Sequence, residues 1–104
     1  MGPSRPPTKL EREWMGRASA YGCIACRKDG HPDVPAEIHH LTSGGRRLGH
    51  LFSLPLCPSH HRGDGKAVPS VHFQRKAFER EYGLQGDLLA ELQVALNVYD
   101  KVEQ

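Results

Sequence analysis

The sequence predicts a small α+β domain stapled by a structural metal ion. Three observations carry this. The chain has 104 residues, of which 11 are Gly and 8 are Pro, so its elements are short and separated by many turns. Two helical stripes, near the two ends, enclose a middle third rich in turn residues and short apolar runs. Finally, two ligand pairs, Cys23-Ile24-Ala25-Cys26 and Cys57-Pro58-Ser59-His60, carry the spacing of metal knuckles. A chain of this size buries roughly 60–70% of its unfolded surface, and domains this small gain from an added staple.

Residues 1–7 read as a flexible arm, followed by a single domain over 8–104. Thr8-Lys9-Leu10-Glu11 has the capping-box pattern and opens a helix from about Lys9 to Ala20. Leu10, Trp14, Ala18 and Tyr21 recur at helical spacing and form its core stripe. Gly22 ends the helix and delivers the chain to Cys23. Residues 27–35 are turn-formers throughout. Ala36 to Leu41 is a short strand, Thr42 to Arg47 a loop, and Leu51 to Leu56 a second apolar run. Pro55 confines that run to a sheet edge or a strand end. Residues 57–62 open a helix that Gly63-Asp64-Gly65 closes or bends. Ser70 caps a helix to about Tyr82, with Phe73, Ala77 and Phe78 on one face and Gly83 as its stop. The last helix, about Asp87 to Val102, carries Leu88, Leu89, Leu92, Leu96 and Tyr99 along one side. Such a stripe serves core packing more often than a dimer seam, which leaves monomer and homodimer both open.

Net charge is only +2, but residues 1–47 carry eight Lys/Arg against five Asp/Glu, while the tail is acidic. A polyanion would therefore meet the first half of the chain, although ordinary surface charge accounts for the same pattern. The N-terminal stretch has no apolar run, so neither a signal peptide nor a membrane span is expected, and position 6 is Pro, against the myristoylation pattern. Three cysteines, an odd number, cannot make a closed disulfide framework within one chain. A reducing compartment with cysteine spent on metal fits that count better.

Cys23, Cys26, Cys57 and His60 make a complete tetrahedral donor set, and soft thiolates with imidazole select zinc. A redox role for Cys23 and Cys26 would need a thioredoxin-like unit, which the pattern lacks. Zinc at such a site contributes on the order of 10 kcal/mol, comparable to the stability of a whole small domain. With all four positions taken by protein, this ion is structural.

Six histidines remain: His31, His39, His40, His50, His61 and His72. The run Ile38-His39-His40-Leu41, then Gly44-Gly45, His50-Leu51-Phe52 and Leu56-Cys57-x-x-His60-His61 resembles the HNH, or ββα-metal, nuclease motif. More narrowly, GGRRLGHLFSLPLCPSHHRG is similar to the Ref-type, RecA-dependent nucleases of phages and prophages, over roughly residues 20–83. That resemblance implies a metal-dependent DNA endonuclease acting in recombination or DNA processing, in the cytoplasm of a bacterial host. It implies His40 as the general base and His61 as a ligand of a catalytic Mg²⁺ or other divalent ion. His39 matches a position that often adds a ligand. His50 stands where the family has Asn, and either ligates the metal or orients His40. His72 is an accessory ligand, a phosphate contact or a plain surface residue. DNA and, by the resemblance alone, a RecA filament are the implied partners, with Arg46, Arg47 and Arg62 placed to contact phosphates. Two blander readings stay open. Either the histidines simply extend zinc binding, or the chain is a non-catalytic zinc module that binds nucleic acid as a recombination accessory. One geometric point bears on His39: neighbours on a regular strand face opposite ways, so it joins His40 only if the strand ends or bulges there.

Overall fold

The structure, a computed structural model, describes residues 5–63 and 68–103, with side chains to residue 97. The sequence expectations for residues 1–4, for Asp64 and Gly65, and for the Tyr99 side chain fall outside it.

Helix α1 (Lys9–Tyr21) begins with the anticipated capping box: the Thr8 hydroxyl accepts from the Glu11 amide, and the Glu11 carboxylate accepts from the Thr8 amide at 2.8 Å. Arg5 closes a bidentate pair on the same carboxylate at 2.7 and 2.8 Å, so residue 5 is tied down rather than loose. Gly22 ends the helix with φ +84°, and a Cβ there would meet the carbonyls of Val34 and Pro32 at 3.0 and 3.1 Å. Only glycine lets the chain turn this tightly into α2 (Ile24–Lys28), whose N-cap is Cys23.

Strand β1 (Glu37–His40) pairs antiparallel with β4 (Ser53–Leu56), with Glu37 opposite Leu56 and His40 opposite Ser53. In a two-stranded sheet both strands are edges, so Pro55 fits although it has no N–H. The segment read as a loop is a small hairpin, β2 (Thr42–Ser43) with β3 (Arg46–Arg47). Gly44 and Gly45 have φ +58° and +80°, the two left-handed positions that a two-residue turn between antiparallel strands requires.

After β4 come α3 (Pro58–His61), α4 (Arg75–Tyr82) and α5 (Gln85–Glu103). Strand β4 is the structural centre: α1, α2, α3 and α5 all pack on it, and Leu54 and Leu56 are fully buried. Ala18, Ile24, Phe78, Leu88, Leu92 and Leu96 complete the core around it. The fold class is therefore the expected one, small α+β with helices flanking short antiparallel pairs.

Two apolar side chains on the expected helix faces, Leu10 and Phe73, lie outside the core. Leu10 is 66% exposed, one turn ahead of where α1 meets the sheet. Phe73 is 79% exposed because the helix starts at Arg75 and not after Ser70. Residues 71–73 instead form a turn, in which the Ser70 hydroxyl accepts from the Phe73 amide at 3.2 Å. Among the described residues, no helix is long and apolar enough to cross a membrane.

Candidate functional site

The two knuckles converge. His60 Nδ1 lies 3.7, 3.5 and 3.2 Å from the sulfurs of Cys23, Cys26 and Cys57, and Cys26 and Cys57 lie 3.7 Å apart. A tetrahedral ion with bonds of about 2.0–2.3 Å holds its donors about 3.3–3.8 Å apart, so the four side chains already have the shape of a zinc site. The imidazole is also set in the ligating tautomer. Tyr82 donates its hydroxyl hydrogen to Asp29 at 2.7 Å, so its oxygen accepts from His60 Nε2–H at 3.0 Å. The bare nitrogen is then Nδ1, which faces the sulfurs. Burial pushes the Cys23 and Cys26 thiols up in the metal-free chain, and a bound cation reverses that by favouring thiolate.

A second group forms on the other side of α3. Ligand nitrogens of His39, His61 and His72 lie within 4.8 Å of one another. His39 reaches it from β1 and His61 from the end of α3. His72 arrives on the 71–73 turn, which is zipped to α3 by backbone bonds from Val71 to His60 (2.7 Å) and from His72 to His61 (3.2 Å). Strand β1 continues regularly through His40, yet His39 is the one that meets His61, with ring centroids 5.1 Å apart. His40 turns toward His50 instead. Both nevertheless line one open cavity of about 490 Å³, together with Arg47, His61, Arg62, His72 and Phe73.

Outer partners set the tautomers here as well. Gln85 donates its amide hydrogen to Glu79 (3.3 Å), so its oxygen faces His39 and accepts from Nε2–H at 2.8 Å, leaving His39 Nδ1 bare. Glu37 accepts from His61 Nδ1–H at 2.9 Å, so Nε2 is the His61 nitrogen left for a ligand. Burial pushes the His39 pKa down to about 4 and lowers that of His72, so both are neutral donors near pH 7. Hydrogen bonds from His61 and then Arg62 hold Glu37 below the usual carboxylate range.

His50 lies outside the three-histidine group. Its Nδ1 sits 3.1 Å from His40 Nε2, and its Nε2 faces the Arg5 carbonyl at 3.4 Å. A carbonyl only accepts, so His50 carries its proton on Nε2 and takes a hydrogen bond from His40 Nε2–H. That leaves His40 Nδ1 as a free lone pair. The backbone of His50 is pinned by the Ser53 hydroxyl (2.9 Å to the His50 carbonyl), which in turn accepts from the Trp14 indole at 3.1 Å. Burial, and then the charge of Arg47, lower the His40 pKa.

Of the expected phosphate contacts, Arg47 and Arg62 line the cavity, whereas Arg46 is exposed on the hairpin. Arg62 is already paired with Glu37 at 2.5 and 3.0 Å.

This arrangement agrees with a match at the level of sequence: the sequence model of the family described as recombination enhancement, RecA-dependent nuclease, covers residues 7–97. The chain belongs to that family. No curated protein matches it. Membership in the RecA-dependent nucleases gives a nuclease-related role in recombination, with nucleic acid as substrate and a relation to RecA.

For this RecA-dependent nuclease relative, sequence reading passed over Glu37, Gln85, Tyr82 and Asp29. Glu37 had a signal, since it stands two residues before His39 and strand alternation puts both on one face. Gln85 and Tyr82 lie 46 and 22 residues from the histidines they orient, and no local pattern reveals such pairs.

Proposed function

We propose that this member of the family is an HNH-type, ββα-metal endonuclease. It would hydrolyse DNA phosphodiester bonds with His40 as general base and His39, His61 and His72 as holders of one divalent cation. The observation that carries the reading is that His40, whose Nε2 is engaged by His50, lines the same cavity as the converging imidazoles of His39, His61 and His72.

The donor set fits a cation, since ligand nitrogens of the three imidazoles lie within 4.8 Å of one another and two of the rings are held by outer partners, Gln85 and Glu37. Three nitrogens without a carboxylate suit a first-row transition ion better than Mg²⁺, which prefers oxygen. A cation bound there supplies positive charge to the phosphate and to the leaving oxygen.

The chain's own residues do the rest. His40 Nδ1 accepts the proton of an attacking water, and its lowered pKa keeps it neutral and ready at pH 7. His50, the acceptor on the far side of the ring, favours the imidazolium that results and fixes the ring's direction. Among the described residues Arg47 pairs with no carboxylate and is the better phosphate contact, while Arg62 chiefly neutralises Glu37. Zinc on Cys23, Cys26, Cys57 and His60 holds α3, and thereby His61, in place. Residues 8–104 would act as one domain. The family's relation to RecA is the ground for expecting it to work on RecA-bound DNA in the bacterial cytoplasm, encoded by a phage or prophage.

The experiment is cleavage of plasmid and single-stranded DNA by purified protein, with Mn²⁺, Ni²⁺, Mg²⁺ or EDTA, with and without RecA filaments. Metal-dependent nicking is the expected result. Binding without cleavage under every condition would replace this reading with a non-catalytic recombination accessory.

A further inference from the structure

A phenylalanine that is 79% exposed loses hydration free energy for nothing unless something covers it. Single exposed apolar residues are common, but Phe73 is neither scattered nor loose. It lines the same cavity as His39, His40, His61, His72, Arg47 and Arg62. Its backbone is held by the Ser70 hydroxyl at 3.2 Å, and the next residue, Gln74, donates to the Ser70 carbonyl at 2.8 Å. Val71 beside it is buried and bonded to α3. Gly63, at φ +84°, lets the turn sit close: a Cβ there would come within 3.3 Å of the Phe73 ring and 3.2 Å of the Ser70 hydroxyl. The backbone thus sets the ring at the histidine-lined cavity that also holds Arg47.

We propose that Phe73 is a stacking platform for an unpaired nucleobase next to the phosphate held in this cavity. This base contact rests on the nuclease reading. The charges place a phosphate in the cavity, the neighbouring base of the same strand then falls at its rim, and a flat apolar face is found there. A base inside a duplex is already stacked on both faces and gains nothing from the ring. An unstacked one gains the equivalent of about 5- to 150-fold in affinity.

The test uses the full chain in a His40→Ala background, which binds without cutting, and short oligonucleotides containing 2-aminopurine, free and as RecA filaments. Because the Phe73 side chain is largely exposed, Phe73→Ala should keep its zinc and its circular dichroism. The expected result is quenching of 2-aminopurine by the parent, loss of most of it in Phe73→Ala with at least fivefold weaker single-strand binding, and recovery in Phe73→Trp. Duplex binding should change less than twofold. Equal loss on duplex and single strand, or unchanged quenching in Phe73→Ala, overturns the stacking role and leaves the nuclease reading intact. No binding of either DNA form, with or without RecA, overturns both.

Discussion

His40 Nε2 lies 3.1 Å from His50 Nδ1, and this contact decides which nitrogen of His40 can act as a base. The resemblance to HNH nucleases puts Asn where His50 stands. Either residue can accept the His40 Nε2–H, so the substitution preserves the orienting function with a different group. His50→Ala should lower kcat roughly 10-fold or more, less than the roughly 10²–10⁴ attached to the base itself. Cation affinity should stay unchanged, since His50 stands apart from the three-histidine group. Titration calorimetry beside single-turnover cleavage checks this, and a loss of cation binding would move His50 into the ligand set.

Gln85 and Glu37 test the outer partners. Gln85→Leu removes the acceptor for His39 Nε2–H, and Glu37→Gln weakens the one for His61 Nδ1–H. Each should lower affinity for the second cation about 10- to 100-fold while leaving one zinc per chain. Calorimetric titration of zinc-loaded protein with Mn²⁺ or Ni²⁺ reads the effect directly.

Tyr82→Phe probes the structural zinc. It removes the acceptor of the His60 Nε2–H and leaves the Asp29 carboxylate without its donor. A buried donor left unsatisfied costs about 1–3 kcal/mol, so thermal unfolding should begin several degrees earlier and chelators should strip zinc faster. His60→Ala and Cys57→Ala should go further and prevent folding, whereas His61→Ala should fold and lack activity.

The pH dependence has a defined sign. His40 works as a base only when neutral, and burial and Arg47 both disfavour its charged form. The acid limb of kcat/KM should therefore lie below the ordinary histidine value of about 6.5. Arg47→Gln removes a positive charge, raises the His40 pKa and shifts that limb upward, whatever it does to the height of the profile. A downward shift would show that another group sets the limb.

The knuckles, the capping box, both flanking helices and the strand pair could be read in the sequence because each rests on spacing within a few residues. What escaped depends on distant partners. Periodicity puts Phe73 on one helix face with Ala77 and Phe78, but the turn that Ser70 caps delays the helix to Arg75 and leaves the ring outside. The hairpin at Thr42–Arg47 was legible in principle, since Gly-Gly between short polar strands signals a two-residue turn. His39 appeared to depend on a break in β1, yet the regular strand brings it to His61. The position of α3 and the 71–73 turn decides that, and strand alternation alone does not. His72 gained a place in the group from backbone bonds to α3 that no local pattern encodes.

The central claim is that zinc builds the site and His40 performs the chemistry. The most direct measurement is cleavage by His40→Ala alongside its zinc content by elemental analysis and its second-cation affinity by calorimetry. The account predicts one zinc per chain, unchanged cation affinity and a loss of cleavage of at least about 10². Cleavage at the parent rate by a fully zinc-loaded His40→Ala would contradict it.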